Sequence, residues 1–226
     1  KLFMDRSKLA SAQEALKFVK EGLKIGLGSG STAEIFIELL GKKNLQEDLG
    51  LKCIATSVAS ERQAKKVGLK LAGFEEVQKL DIAFDGADQV DSKLCLIKGL
   101  GGALVREKIV DYRARKFVVM VGENKLVERL SGVVPVEAIP MAEHAVRREL
   151  LDMGASRAEA RMEGKKKFLS DNSNIIIHAE FGKISNPAKL EDKIKAIPGV
   201  VDSGIFAKKK PVICLGSPSG EARVLG

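Results

Sequence analysis

The sequence predicts an α/β fold, in which an open, mostly parallel, doubly wound sheet is accompanied by a smaller α+β domain. Two observations support this prediction. Over roughly the first 130 residues, apolar segments of strand length such as "DIAFDG" and "FVVMVG" alternate with helical patterns. Strands that are apolar throughout are typical of parallel sheets covered by helices on both faces. Near residue 131 the pattern changes, and "VPVEAIP" alternates apolar with polar residues instead.

The first domain begins with a helix over residues 9–20, where apolar residues recur at helical spacing. The strand and glycine turn of "KIGLGSGST" lead into the helix "AEIFIELLG", which we expect Gly41 to close. After the buried strand "LKCIATSV" we expect a helix capped by Ser60. The strands "DIAFDG" and "LCLIKG", the helix "GALVREKIVDYRARK" and the strand "FVVMVG" continue a Rossmann-like sheet. The apolar strand "PVICLG" is expected to return to it, so this α/β catalytic domain comprises residues 1–130 and 207–226.

Residues 131–206 predict a small α+β domain. Its helices are "AEHAVRRELLDMG" and "PAKLEDKIKAIPG", the second with Pro187 in its first turn. The strands "ASRAEARM" and "NIIIHAEF" are joined by a basic loop, and "VVDSGIFA" is the last strand. The order β-α-β-β-α-β is the split βαβ, or ferredoxin-like, arrangement.

The composition is that of an ordinary soluble globular protein, with 45% hydrophobic and 30% charged residues in a chain of 226. No apolar run is long enough to span a membrane, and the start, "KLFMDRSKLA", lacks the apolar stretch of a secretory signal. The cysteines Cys53, Cys95 and Cys214 are widely spaced, which argues against a disulfide framework or a zinc site. We therefore expect a cytoplasmic protein that packs its cysteines as small hydrophobic residues.

The charge is basic, with a net value of +8 and a pI of about 9.3. Such a balance suits either nucleic acid or small anions as partners. The lysine triplets at residues 165–167 and 208–210 stand in apparent loops and have no interleaved aromatic residues. We expect them to be solvent-exposed, and no nucleic-acid partner is predicted.

The turn "GLGSGST", from Gly26 to Thr32, joins a strand to a helix. Amides at a helix start, together with the hydroxyls of Ser29, Ser31 and Thr32, form a natural phosphate cradle. The turn fits neither a dinucleotide fingerprint, which needs a further glycine at position 31, nor a P-loop, which needs a lysine. It therefore predicts a phosphate group without predicting a nucleotide.

The turn "KGLGGALVREK" is the second of this kind. Lys98 precedes Gly99, Gly101 and Gly102, which open a helix, and Glu107 falls in an early turn of that helix. A carboxylate near a helix N-terminus is stabilised by the helix dipole. Glu107 is therefore either a stabilising residue of the helix or a catalytic base that faces a ligand.

The turn "DGAD" clusters the carboxylates of Asp85 and Asp88 at the end of a buried strand, and Asp91 is expected to be a solvent-exposed turn residue. Ligands of open α/β sheets bind at the carboxyl ends of the strands, so the three turns are expected to meet at one site. Magnesium held by Asp85 and Asp88 is an alternative, but a nearby lysine would compete with it. No metal is predicted.

Taken together, these blocks resemble type A ribose-5-phosphate isomerases. The resemblance rests on "GLGSGST", "DIAFDGADQVD", "LIKGLGGALVREKIV", "GENKLV", "PVEAIP" and "AIPGVVDSGIFA", in the order and spacing of that family. The chain departs at Leu100, where many members have another glycine. Ser29 stands where threonine is common, which keeps the hydroxyl.

The resemblance implies an aldose–ketose isomerase (EC 5.3.1.6) of the non-oxidative pentose phosphate pathway, which interconverts D-ribose 5-phosphate and D-ribulose 5-phosphate without a cofactor. The reaction passes through a cis-enediolate. By resemblance, Glu107 is the base that moves the carbon-bound proton, and Lys98 with the glycine-turn amides stabilises the enediolate. Asp85 and Asp88 hold the sugar hydroxyls and move protons between O1 and O2.

The resemblance also implies which residues bind the substrate. The expected phosphate ligands are Ser31, Thr32, Lys125 and Lys8. The remaining expected substrate contacts are Ser29, Gly30, Gly86, Ala87, Gly99, Gly101 and Gly102. A homodimer or homotetramer is implied, with the small domain as the expected oligomerisation domain, and no membrane partner. His144 and His178 match no catalytic position and are expected to be structural.

Three alternatives remain open from the sequence. One is a sugar-phosphate sensor that binds without turnover. Such sensors usually carry a DNA-binding helix-turn-helix domain, whereas here the first helix leads straight into the sheet, and a sensor has no need for the three carboxylates. Another is nucleic-acid binding, which rests on charge alone. The last is isomerisation of a different aldose phosphate.

Overall fold

The computed structural model describes residues 5–226; residues 1–4, which enter the expectation about a secretory signal, lie outside that range. The helices are α1 Arg6–Leu16, α2 Ser31–Glu47, α3 Val58–Lys66, α4 Leu104–Arg113, α5 Glu143–Asp152 and α6 Pro187–Lys195. The strands are β1 Lys24–Leu27, β2 Lys52–Ala55, β3 Leu80–Gly86, β4 Gln89–Val90, β5 Leu96–Ile97, β6 Ala114–Gly122, β7 Gly132–Ala138, β8 Arg157–Ala160, β9 Met162–Glu163, β10 Lys166–Lys167, β11 Ile175–Phe181, β12 Val200–Ser203, β13 Ile205–Phe206, β14 Val212–Gly216 and β15 Ala222–Leu225. Short 3-10 turns cover Glu123–Lys125 and Pro140–Ala142. Among these residues, no helix combines the length and the apolar character needed to cross a membrane.

Tertiary contacts divide the chain into two units. The first unit holds the described residues up to Ala87, with Arg106–Lys125 and Lys209–Gly226. The second unit holds Asp88–Val105 and Leu126–Lys208. Each unit contains its own cluster of buried apolar side chains. The domain boundaries drawn from the sequence, near residues 131 and 206, stay predictions.

The first unit is built on a six-stranded sheet in the order β15-β14-β6-β3-β1-β2. Its pairings from β2 across to β14 are all parallel, and β15 is antiparallel to β14. The predicted return of "PVICLG" to the main sheet is confirmed, because β14 pairs with β6 over its whole length. The sheet is therefore mostly parallel, as the continuous apolar strands predict.

Helices cover both faces of this sheet. On one face Ile25 and Leu27 join a core in which Phe36 of α2 stacks on Phe84 of β3, with ring centroids 4.3 Å apart. Gly26 points to the opposite face, where a Cβ built on it would stand 2.4 Å from Cγ1 of Val110 in α4. A side chain at position 26 would thus push α4 away. Helices on the two faces confirm the doubly wound α/β class.

The second unit contains a four-stranded antiparallel sheet in the order β12-β7-β11-β8. Both β7 and β8 pair antiparallel with β11, so they are parallel to each other with β11 between them, which is the predicted split βαβ arrangement. Alternate residues of these strands, including Val136 and Ile177, form one core with Val146 and Leu150 of α5 and Ile194 of α6. The unit also contains the hairpin β9–β10 and the three-stranded sheet β13-β5-β4. The segment "LCLIKG" contributes β5 to this sheet, so the prediction that it continues the main parallel sheet is wrong, because Leu96 and Ile97 pair antiparallel with β4 and β13 instead.

Two helix ends differ from the prediction. Gly41 does not close α2, which continues to Glu47 and ends at Asp48 with a left-handed φ of 46°. Gly41 instead allows α2 to approach Val67, since a Cβ there would lie 2.5 Å from the Val67 Cβ. α4 ends at Arg113, earlier than expected, because Ala114 already pairs with Leu80 across the sheet.

Ser60 is not the N-cap of α3. The cap is Ser57, whose Oγ accepts a hydrogen bond from the Ser60 amide at 3.1 Å, while the Ser60 Oγ accepts one from the Ser57 amide at 3.1 Å. This reciprocal capping box satisfies two helix-end donors at once. The predicted cap is therefore wrong by one turn, because both serines belong to the same motif.

The segment "VVDSGIFA" forms two strands rather than one. It breaks at Gly204, whose amide donates to the Pro135 carbonyl at 2.7 Å and whose carbonyl accepts from the Lys98 amide at 2.9 Å. A Cβ at Gly204 would lie 2.3 Å from the Lys98 carbonyl oxygen. The chain therefore changes sheets at this glycine, with β12 in the four-stranded sheet and β13 in the three-stranded one.

The lysine triplets are only partly the solvent-exposed loops that were expected. Lys166 and Lys167 form β10, and the Lys167 ammonium pairs with the buried carboxylate of Glu143. Lys209 is half-buried, and its ammonium donates to the Ala114 carbonyl, just beyond the C-terminus of α4. A cation at that helix end is favourable for the helix dipole. Burial lowers the pKa of Lys209.

Candidate active site

The first unit presents the turn from β1 into α2 at the carboxyl edge of its sheet. Gly30 is the N-cap of α2 with φ of 90°, and no side chain caps the helix there. The amides at the start of α2 are therefore left without a side-chain acceptor, which favours an anion at this position. Ser31 and Thr32 begin the helix, with Ser31 exposed and Thr32 half-buried.

Asp85 is the next-to-last residue of β3, beside this turn, and is only 1% exposed. Its Oδ1 accepts hydrogen bonds from the amides of Gly86 at 2.7 Å and Ser29 at 3.1 Å. Gly28 makes this approach feasible, because a Cβ there would stand 2.1 Å from the same oxygen. The backbone of the turn thus holds the Asp85 carboxylate in one orientation.

The hydroxyl of Ser29 is engaged within the protein. Its Oγ lies 2.7 Å from Oγ1 of Thr56 and donates to Oγ of Ser57 at 2.7 Å. Ser57 is also the cap of α3, so this network joins the turn to the next strand and helix. Thr56 and Ser57 were missed by the sequence reasoning, although the hydroxyl-rich "ATSVAS" at the end of β2 was a usable signal.

Lys8 lies on the first turn of α1, and its ammonium donates to Oγ of Ser31 at 3.0 Å. The structure therefore brings two of the predicted phosphate residues together. The position of α1 depends on Gly216, at the end of β14, since a Cβ there would lie 1.9 Å from the Ser7 carbonyl oxygen. Lys125 lies in the 3-10 turn after β6, at the same edge of the sheet, and no hydrogen bond joins it to Lys8 or Ser31 within the described residues.

Glu107 is in the first turn of α4 and is 4% exposed. The carboxylate therefore stands near the positive end of the helix dipole, largely shielded from bulk water. Val110, one turn further along α4, is the residue that packs over Gly26 of β1. This contact sets the height of the helix above the sheet.

The second unit holds Asp88, Lys98 and the glycine turn. The Asp88 amide donates to the Ile97 carbonyl at 2.8 Å, and its Oδ2 accepts from the Leu100 amide at 3.3 Å. Lys98 is 1% exposed, and its ammonium lies 4.8 Å from the ring centroid of Phe206, within cation–π range. The structure therefore joins the second aspartate directly to the glycine turn.

The glycine turn needs its glycines for conformation and for space. Gly99 and Gly102 have φ of 84° and 96°, and the Gly102 amide donates to the Gly99 carbonyl at 2.9 Å. A Cβ on Gly99 would lie 2.3 Å from the Leu104 Cβ. Gly101 has no such neighbour within 4 Å and is exposed.

Asp91 is not the solvent-exposed residue that was expected. It is 7% exposed, and its Oδ1 accepts hydrogen bonds from the amides of Lys93 at 2.9 Å and Cys95 at 2.8 Å. Asp91 therefore closes the turn between β4 and β5 as an Asx-type bend. Its role is structural.

The remaining reactive side chains do not form a further centre. Burial raises the pKa of Cys53 and Cys214 to about 12, so both thiols stay protonated near neutral pH. His144 is exposed on α5, and His178 is half-buried on β11. In the described part of the chain, no group of three or more His, Cys, Asp and Glu side chains is arranged to hold a metal ion.

Fold and side chains together define the class: an α/β enzyme with carboxylates and lysines around the glycine turns that follow its strands. The model of the family ribose 5-phosphate isomerase A (phosphoriboisomerase A) matches residues 52–220. The chain belongs to this family.

Relatives and solved structures agree over nearly the whole chain. The ribose-5-phosphate isomerase A of Thermococcus kodakarensis is 43% identical over 226 residues, covering 98% of each chain. That of Archaeoglobus fulgidus is 44% identical over 228 residues, covering 98% of this chain and 100% of the relative. The structure of ribose 5-phosphate isomerase A from Methanocaldococcus jannaschii matches with a TM-score of 0.91 at 43% identity, covering 96% of this chain and 97% of that one. A D-ribose-5-phosphate isomerase in complex with phospho-erythronic acid matches with a TM-score of 0.92 at 40% identity, covering 96% of each.

Proposed function

We propose that this protein interconverts D-ribose 5-phosphate and D-ribulose 5-phosphate, as an aldose–ketose isomerase of the pentose phosphate pathway. The observation that carries this conclusion is the family match over residues 52–220, together with relatives of the same name over nearly the full length. A solved relative binds phospho-erythronic acid, which has the carboxylate and phosphate of a shortened sugar acid. We extend that ligand chemistry to this chain.

The reaction moves one hydrogen from C2 to C1 and one from O2 to O1, and it leaves the atoms of the sugar unchanged in number. Glu107 removes the proton from C2 of the open-chain aldose. The electron pair of the C–H bond forms the C1–C2 double bond of a cis-enediolate, and the π electron pair of the C1 carbonyl moves to O1. Glu107 then returns the proton to C1. The O2–H proton is lost as the C2 carbonyl forms, and O1 gains a proton. Asp85 and Asp88 carry this exchange between the oxygens.

The C2 proton is only weakly acidic, and this determines what the active site must supply. A carboxylate is a weak base for a carbon acid, so the negative charge on the enediolate oxygens must be stabilised as it develops. Lys98 supplies a positive charge that is 1% exposed, and the amides of the glycine turn supply fixed donors. A charge shielded from water acts more strongly than one in solvent.

The phosphate end is assigned to the turn into α2. The N-terminal amides of α2, with Ser31 and Thr32, are the proposed donors, and Lys8 and Lys125 are the proposed counter-charges. Lys8 already donates to the Ser31 hydroxyl. We propose that the Ser29 hydroxyl shapes this turn through Thr56 and Ser57, while its backbone contacts the substrate.

Two broader assignments accompany the activity. We propose a homodimer or homotetramer in which residues 131–206 supply the oligomer interface, a state that light scattering at micromolar concentration would test. We also propose a reducing, cytoplasmic location, in keeping with three buried free cysteines.

The test is a direct isomerase assay on protein dialysed against a chelator, with ketose formation followed by absorbance. Glu107→Gln keeps the side-chain shape and removes the base, so kcat should fall by several orders of magnitude, roughly 10³-fold or more. Binding of phospho-erythronic acid, measured by calorimetry, should persist in Glu107→Gln. Glu61→Gln is the matched control, because Glu61 forms a surface ion pair with Lys65 and has no role in the mechanism.

Each alternative predicts a different outcome. Binding of the ligand by wild type without turnover would replace the isomerase by a sugar-phosphate sensor. Higher kcat/KM on another aldose phosphate would keep the chemistry and change the substrate. A salt-sensitive gel shift with nucleic acid would indicate an additional partner for the basic surface.

A further inference from the structure

The glycine turn of the second unit is held by two side chains from a distant segment of the same unit. A guanidinium nitrogen of Arg161 donates to the Leu100 carbonyl at 3.0 Å, and this bond joins residues 61 positions apart. Phe168 lies against the same turn, because a Cβ built on Gly102 would stand 2.4 Å from Cε1 of the Phe168 ring and 3.1 Å from the Arg161 nitrogen. Because Gly102 also has a φ of 96°, the turn has no room for a side chain at this position.

Arg161 and Phe168 are fixed to each other and to the sheet. The Arg161 amide donates to the Ile176 carbonyl of β11 at 2.7 Å, and its carbonyl accepts from the Phe168 amide at 2.9 Å. The two residues thereby close the base of the β9–β10 hairpin. The guanidinium carbon lies 3.8 Å from the Phe168 ring centroid, a close cation–π stack. A planar guanidinium held this way has little freedom left to lose when it bonds the carbonyl.

Leu100 transmits this constraint to Asp88. The Leu100 carbonyl accepts from Arg161, and the Leu100 amide donates to Oδ2 of Asp88 at 3.3 Å. Turning the backbone at Leu100 away from Arg161 therefore also turns the amide that orients the aspartate. A carboxylate that exchanges protons with sugar hydroxyls must lie within hydrogen-bond reach of them, so its orientation affects the rate.

We propose that Arg161 is a positioning residue for the isomerase reaction, acting through the Leu100 peptide groups on the carboxylate of Asp88, with Phe168 as the surface that holds the guanidinium. This inference rests on the proposed role of Asp88 in the reaction. Arg161 contacts the Leu100 carbonyl and the Phe168 ring, and it is not one of the proposed catalytic or phosphate residues. Its effect is on the geometry of the turn, and it should appear in kcat more than in KM.

The first experiment compares Arg161→Met, Arg161→Lys and the matched control Arg157→Met. Arg157 lies on β8 of the four-stranded sheet, where its side chain is 65% exposed and pairs with Glu159 on the surface. Arg161→Met should lower kcat by about 10- to 100-fold, because misplacement of about 1 Å costs that much, with KM within about threefold of wild type. Arg161→Lys keeps one donor without the planar stack and should recover part of kcat. Arg157→Met should behave as wild type.

A double-mutant cycle with Asp88→Asn separates positioning from general stabilisation. If Arg161 acts through Asp88, Arg161→Met should lower kcat by less than about twofold in the Asp88→Asn background. Equal losses of kcat in both backgrounds, or wild-type kcat in Arg161→Met, would overturn the inference. If Asp88→Asn itself kept wild-type kcat, the proposed role of Asp88 would fail first and the inference with it.

A folding check keeps the test decisive. Circular dichroism and the thermal midpoint of Arg161→Met are compared with those of Arg157→Met. Should Arg161→Met fail to fold, Phe168→Leu replaces it, since leucine keeps an apolar contact and removes the ring that holds the guanidinium. Phe168→Leu should lower kcat in the same direction by a smaller factor, and an unchanged kcat there would overturn the proposal.

Discussion

Gly28 offers the sharpest test of how the first unit orients Asp85. Its amide donates to the Phe84 carbonyl at 2.8 Å, which keeps the turn close to the end of β3. In Gly28→Ala the new Cβ would stand 2.1 Å from Oδ1 of Asp85, 2.3 Å from its Cγ and 2.6 Å from its Cα. Ordinary van der Waals contact begins at 3.4 Å, so the carboxylate must retreat by more than about 1 Å.

The expected magnitude has two parts. The backbone of Asp85 is among the contacted atoms, so the strain cannot be removed by a side-chain rotation alone, and overpacking of this kind costs about 1–3 kcal/mol of stability. The retreat also breaks the hydrogen bond from the Ser29 amide, which is 3.1 Å long in the native turn. A displacement of about 1 Å in a catalytic group lowers kcat by about 100-fold.

The assay is steady-state isomerase kinetics on Gly28→Ala, with urea unfolding to measure stability. Gly182→Ala is the control, because a Cβ there has nothing within 4 Å and the position lies outside the proposed catalytic residues. The control should match wild type in both measurements. Wild-type kcat together with an unchanged unfolding midpoint in Gly28→Ala would refute the reasoning that this turn is too tight for a methyl group.

Gly216→Ala should raise KM for ribose 5-phosphate by about tenfold, with a smaller effect on kcat. The reason is that the new methyl group displaces α1 and with it the Lys8 ammonium. KM would stay at the wild-type value if Lys8 does not bind phosphate. Burial lowers the pKa of His178 below its ordinary value of 6.5. The unfolded chain then binds the proton more tightly, so stability is lost as the pH falls below about 6.5, and the difference in urea midpoint between pH 8 and pH 5 should shrink in His178→Gln. Burial raises the pKa of Cys53 and Cys214 to about 12, so both thiols should resist a disulfide reagent at pH 8 in the native protein and react at once in guanidinium; fast native reaction at either would contradict their burial.

Much of the fold was predictable because the relevant signals are local. A parallel strand covered on both faces is apolar along its whole length, and this pattern is visible in "DIAFDG" without knowledge of its partners. The glycine turns are equally local, since positive φ at Gly30, Gly99 and Gly102 belongs to the turn itself. The expectation that the first turn and Asp85 lie at one edge of the sheet needs only parallel strands, because the carboxyl ends of such strands share an edge.

The failures concern contacts that become visible only in the folded chain. Gly41 looks like a helix stop, and only the approach of Val67 explains why α2 continues past it. Asp91 looks like a surface residue, and only the fold of β4 and β5 buries it. No local pattern connects Arg161 to Leu100, because the bond depends on how the hairpin is placed on the second unit.

By itself, the sequence determined the class of fold, the order of its elements and the set of side chains available for acid–base chemistry at the glycine turns. Residue type and spacing are enough for these, since burial patterns, turn conformations and ionisable groups are properties of short segments. Only the tertiary structure decided the orientation of those side chains. The Asp85 carboxylate is oriented by the Ser29 amide, the Ser29 hydroxyl is held by Thr56 and Ser57, and the Asp88 carboxylate is joined to Leu100. Each of these depends on distances of about 3 Å between segments that only folding brings together.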